Sequence, residues 1–205
     1  EKLKAKKVEE MDYLERELIE VLFHPQIAKE FYFGKKVMSE NRFWDAIEYF
    51  NNSFKALQKK WWEDQLTDEE FQTLIECSFL IGYCYYEIGL FDKSYKYLEF
   101  SAKNSQSGYK YQSEYINCLI ALKDIRSLMI IDHNLELLTK KAEDERTEYD
   151  YDFFMFLMRR KAYCMIELKQ YDVADDILKH ILKNDPENEF AKKELEYIKQ
   201  LKNNE

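Results

Sequence analysis

The chain has 205 residues, 46% hydrophobic and 35% charged, with 14 Phe, 16 Tyr and 3 Trp; this composition excludes a disordered chain and gives enough core for one domain of ordinary size. Only 4 Gly and 2 Pro are present, far below a usual combined share of about 12%, which excludes a sandwich or barrel of many short strands and predicts few tight turns. The net charge of −9, from 31 Lys and Arg against 40 Asp and Glu, argues against nucleic acid as a partner, because phosphate neutralisation needs a clustered excess of cations.

Apolar residues at helical spacing predict ten helices. The first, within residues 1–24, carries the stripe Val8, Met11, Leu14, Leu18, Val21 and Leu22 and ends before Pro25, since a proline pushes the preceding residue out of the helical region. Its Lys2, Lys4, Lys6 and Lys7 are followed at once by Glu9, Glu10 and Asp12, which reads as a solvated helix start rather than a tether. The chain opens at Glu1 and not at Met, which leaves room for a preceding signal peptide or domain. Helices follow over about 27–40 and 43–59. Thr67 to Glu70 has the form of a capping box, in which hydroxyl and carboxylate satisfy orphan amides at a helix start, and a long helix follows to about Gly89. Thr147 to Asp150 has the same form and opens a helix to about Leu168. The remaining helices fall near 91–104, 109–123, 126–143, 171–184 and 187–202. The longest apolar run, Cys77 to Tyr86, is too short for a membrane span.

A repeat runs through these helices. The first copy reads Phe33-Gly34-x-x-Val37, then Phe43-x-x-Ala46-x-x-x-Phe50-x-x-Ser53. The second reads Ile81-Gly82-x-x-Tyr85, then Phe91-x-x-Ser94-x-x-x-Leu98-x-x-Ser101. The third reads Lys161-Ala162-x-x-Met165, then Tyr171-x-x-Ala174-x-x-x-Leu178-x-x-Ile181, with Pro186 beyond. A small residue in each helix of a pair lets two antiparallel backbones approach closely, while large residues between them fill the seam.

This spacing resembles the tetratricopeptide repeat over 27–60, 75–108 and 155–188, with a degenerate copy over 111–144 that places Cys118 in the small position. The resemblance implies an all-α, right-handed solenoid of about ten helices in antiparallel pairs, forming a single domain over 1–205 that is closed by a capping helix at 187–202. It departs from the family's pattern at Glu30 and Ser78, where Trp belongs, and at Lys161, where Leu belongs. The copies are spaced 48 and then 80 residues apart instead of 34 or 68. The extra residues, with Trp61 and Trp62 in the first insertion, are expected to lengthen the helices that start at Thr67 and Thr147.

In that family the first helices line a concave groove that holds the ligand. By resemblance the groove residues here are Phe31, Lys35, Phe79, Tyr83, Tyr86, Tyr115, Phe156, Arg159 and Tyr163. Large flat side chains with few rotors make good interface anchors. A groove of this kind suits a protein or peptide partner, an amphipathic helix among them, with Lys35 or Arg159 meeting a carboxylate. The competing reading is that the same rings are internal packing, or that helix 1–24 fills the groove. The cations and Asn with which the family's co-chaperones grip a C-terminal carboxylate are largely replaced here, since the slots hold Phe31, Lys35, Leu80, Phe156 and Arg160.

Two other classes of function stay open. One is a structural module that forms a homodimer or docks onto a longer regulator through the Val8–Leu22 stripe. The other is capture of a small molecule such as a glycan on Tyr and Trp rings, with Trp61-Trp62 as its particular support. Catalysis is not expected: Gly34, Gly82, Gly89 and Gly108 form no phosphate loop, and His24, His133 and His180 are isolated. No cofactor or metal is expected either. Cys77, Cys84, Cys118 and Cys164 show no Cys-x-x-Cys spacing, and Cys77 and Cys84 are separated by about 10 Å of helix, too far for a disulfide. Buried free thiols fit a reducing compartment, so a cytoplasmic location is expected over secretion.

Overall fold

The computed structural model describes residues 26–105 and 109–203. All regular structure among them is helical: α1 (Gln26–Ser39), α2 (Phe43–Trp62), α3 (Asp68–Glu87), α4 (Phe91–Asn104), α5 (Tyr109–Ala121), α6 (Arg126–Lys140), a 3-10 turn (Glu143–Glu145), α7 (Glu148–Glu167), α8 (Tyr171–Asn184) and α9 (Glu189–Asn203). The helix expected within residues 1–24 lies outside the described residues. Both capping boxes form, with Thr67 accepting from the amide of Glu70 and Thr147 from that of Asp150, and each carboxylate accepting in return.

Several expected boundaries differ, those of α2, α6 and α9 among them. Helix α2 continues to Trp62, so Trp61 and Trp62 occupy its last turn instead of an insertion; α2, α3 and α7 each run to 20 residues where α1, α4 and α8 have 14. Helix α6 stops at Lys140, short of the expected 143. Arg146 folds back there, donating from Nη2 to the carbonyl of Thr139 and from Nε to that of Lys141, which satisfies acceptors that another helical turn would have used. Helix α9 starts at Glu189, because the Asn188 side chain caps it by accepting from the amide of Ala191.

The turns depart most from the composition-based expectation. Five helix ends place a residue in the left-handed region: Asn41, Asp64, Gly89, Lys123 and Lys169, with φ between 55° and 77°. At each, that residue's amide and the next one donate back into the last turn, as in Asn41 to Met38 and Arg42 to Val37. This is the Schellman closure, which glycine usually serves. Only one of the five is Gly, so glycine scarcity did not mean few sharp turns. In the three clear repeats the left-handed residue lies seven positions after the small one (34 to 41, 82 to 89, 162 to 169). In the degenerate copy Lys123 lies only five after Cys118, which moves the equivalent position to Ile116.

The chain divides into two compact units, residues 1–118 and 119–205. In the first, α1 packs on α2, α2 on α3 and α3 on α4. In the second, α6 packs on α7, α7 on α8 and α8 on α9. The small residues lie in the seams. Ala46, Ser94, Ala162 and Ala174 are fully buried. A Cβ at Gly34 would sit 2.5 Å from Phe50, and one at Gly82 would sit 2.7 Å from Leu98. The core of the second unit gathers Ala162, Met165, Ala174, Leu178, Ile181, Ala191 and Ile198. Among the described residues no helix is long and apolar enough to cross a membrane.

Candidate functional site

In the first unit, the residues expected to line a groove divide by burial. Phe79 and Tyr115 are buried, which corrects the expectation that they are exposed anchors. Phe79 is covered from α5: Tyr111 meets its ring edge-on at 4.9 Å, and Lys110 Nζ stands 4.2 Å from its centroid. The Tyr111 hydroxyl donates to Glu76 at 2.5 Å, so α3 and α5 are joined by charge as well as by rings, and burial with this carboxylate pushes the phenol's pKa up. Tyr115 is held between Tyr95, stacked at 6.1 Å, and Glu99, to which its hydroxyl donates at 3.2 Å. These residues fix the register of α5 on α3 and α4.

The other four are half-buried. Tyr83 stacks on Phe79 at 6.2 Å, and its phenol is raised by burial and by Glu87 and Glu114. Lys35 lies 4.8 Å over the ring of Phe31 on the same helix, and Phe31 packs against Phe50. Tyr86 leans against Phe91 at 5.2 Å. Among these six, Phe79 is in ring contact with Tyr83 and Phe31 with Lys35.

In the second unit, Phe156, Arg159 and Tyr163 lie along one face of α7, at i, i+3 and i+7. Phe156 stacks on Phe153 at 6.0 Å, and the guanidinium of Arg160 lies over its ring at 5.3 Å from the centroid. Arg159 is half-buried and Tyr163 is 40% exposed. The Tyr163 phenol is raised by partial burial and by nearby carboxylates, including Glu194 on α9. Glu194 is itself raised by desolvation.

Two arginines of this face lack a partner among the described residues. Of the five arginines among the described residues, Arg42 and Arg126 hold carboxylates and Arg146 holds two carbonyls. Arg159 and Arg160 have no hydrogen-bonding or ion-pair partner among the described residues, and the Nε of Arg160 is shielded from solvent with nothing to accept from it. The family resemblance pointed to Arg159 as a groove residue; that Arg160 beside it lacks a partner was visible only in three dimensions.

One concavity in this unit was not foreseen. A half-open cleft of about 550 Å³ is bounded by the end of α6, the turn at 143–147, the start of α7 and the end of α8. Its floor is apolar, with Leu138, Phe154 and Met155, and Tyr151, Arg146 and His180 stand at its walls. Asp150 at its edge is buried and held by Lys141 at 2.7 Å.

All four cysteines are buried and free. Burial raises each thiol pKa, that of Cys84 to about 12, so none is a ready nucleophile. Among the described residues no group of three His, Cys, Asp or Glu is placed to hold a metal ion. The chain matches no protein-family model, no curated protein and no solved structure.

Proposed function

We propose that the chain is a non-catalytic protein- or peptide-binding module, built as a tetratricopeptide-like solenoid of antiparallel helix pairs, and that the α7 face holds a carboxylate-bearing segment of its partner. The single observation that carries this reading is the pair of unpartnered guanidiniums at Arg159 and Arg160, with a buried Nε on the latter. A buried donor without an acceptor costs about 1–3 kcal/mol; Arg160 as a whole is half-buried, and a partner's carboxylate at its accessible nitrogens would make charge-assisted bonds. The half-exposed ring of Tyr163 supplies an adjacent anchor. The buried small residues, placed with the same spacing within each of three helix pairs, support the repeat.

The test is capture from source lysate by the wild-type chain alongside Arg159→Ala, Arg160→Ala and Tyr163→Ala. A protein retained by the wild type and lost from all three supports the reading; equal retention by all four contradicts it.

A second reading, small-molecule capture, is favoured by the cleft between α6, α7 and α8, whose volume lies within the usual range of ligand pockets. It predicts a rise in melting temperature with a small ligand that Tyr151→Ala abolishes and Arg159→Ala leaves intact.

A further inference from the structure

All 3 tryptophans of the chain stand on α2, and all are exposed: Trp44 by 60%, Trp61 by 43% and Trp62 by 75%. Indole is the largest amphipathic side chain and is normally well buried. Trp44 and Trp62 are eighteen residues apart, five turns, so they project from one line of the helix about 27 Å apart. Between them on that line stand Glu48, Asn51, Lys55 and Gln58. Two of the indoles, Trp44 and Trp61, are buttressed from behind. Trp44 contacts Tyr85, and the rings continue through Tyr97, Phe54 and Phe100 to Trp61, each centroid 5.8 to 6.4 Å from the next. Side chains held in this way lose little conformational freedom when a partner covers them.

The ribbon is bordered by cations. Lys93 Nζ stands 5.8 Å over Tyr85, and Lys96 lies one turn on. Lys55, Lys93 and Lys96 have no carboxylate partner among the described residues, whereas Lys59 and Lys60 near Trp62 already hold Glu63 and Glu70.

We propose that this face of α2 and α4 binds an acidic amphipathic segment of a partner protein, its apolar residues on the indoles and its carboxylates on Lys55, Lys93 and Lys96. Tryptophan is strongly enriched among residues that dominate protein interfaces, and the span between Trp44 and Trp62 matches a helix of about 18 residues. An anionic bilayer or a nucleic acid would meet the field of the whole chain, whose net charge is −9, and three lysines do not reverse it. A short peptide meets the local charge. This inference is independent of the α7 reading, because α2 and α4 carry none of its residues.

The experiment uses intrinsic fluorescence, since every tryptophan of the chain belongs to the face. The probes are an amphipathic peptide of about 18 residues made of Glu, Leu and Ala, and its counterpart with Lys for Glu. The acidic probe is expected to shift the emission to the blue with saturation, and the Lys probe to leave it unchanged. The variants K55Q/K93Q/K96Q and K55Q/K96Q, with unaltered circular dichroism, are expected to weaken the acidic probe about ten-fold or more, and R159A/R160A to leave it unaffected. Any one of four results overturns the proposal: no shift with the acidic probe, an equal shift with the Lys probe, a stronger response to phosphatidylserine vesicles or to oligouridine, or a blue shift that grows with protein concentration alone and so marks a second copy as the occupant.

Discussion

The hydroxyl of Ser94 donates to the carbonyl of Gly82 at 2.7 Å, inside the seam between α3 and α4. A hydrogen bond between two small residues requires the helix backbones to approach closely, and a Cβ at position 82 would lie 3.0 Å from the Leu98 amide nitrogen as well as against its side chain. Gly82→Ala is therefore expected to lower stability by about 1 kcal/mol net in urea unfolding, with overpacking of 1–3 kcal/mol outweighing a gain of about 1 in helix propensity. Ser94→Ala is expected to cost about 1 kcal/mol.

Lys123 adopts a φ of 55°, and the turn after α5 is closed by the backbone amides of Lys123 and Asp124. Lys123→Gly is expected to raise stability by about 0.5–1 kcal/mol, because glycine takes this conformation without a Cβ clash and that gain exceeds its unfolded-state entropy. Thermal unfolding reads the change.

Tyr115 and Tyr163 were both expected to line the groove and differ in burial. Tyr115→Ala is expected to cost about 3 kcal/mol of stability, as for other buried rings. Tyr163→Ala is expected to change stability by less than about 1 kcal/mol and to weaken partner retention by about 2 kcal/mol. Paired unfolding and retention measurements separate the two.

The thiols carry a pH dependence of definite sign. Burial raises the Cys84 pKa to about 12, above an unfolded value of about 8.5, so the folded state holds the proton more tightly. Its contribution to stability is complete below the unfolded value and is lost as pH rises from there toward the folded one. At pH 8 a thiol-specific disulfide reagent is expected to leave all four cysteines unmodified in the native protein and to titrate all four in denaturant.

What could be read from the sequence followed from period. Gly34, Ala46, Gly82, Ser94, Ala162 and Ala174 announce close seams because no larger residue fits there, and Thr67 and Thr147 announce helix starts because capping is local. Turn chemistry was hidden because Asn41, Asp64, Lys123 and Lys169 take the place of glycine, held by the helices on either side. The burial of Phe79 depends on Tyr111 and Lys110, some thirty residues away, and the early end of α6 depends on Arg146 reaching back to Thr139. Trp61 and Trp62 were misplaced because an exposed apolar pair at a helix end breaks the amphipathic pattern. The unpartnered Nε of Arg160 has no sequence signature, since it is defined by the acceptors it lacks.

The most direct test of the binding reading is Arg160→Met, measured for stability and for partner retention together. Met keeps an apolar stem against Phe156 and removes the shielded donor. The account predicts that the variant gains about 1 kcal/mol in urea unfolding while losing the retained partner. A variant that is less stable than the wild type and still retains the partner would contradict it.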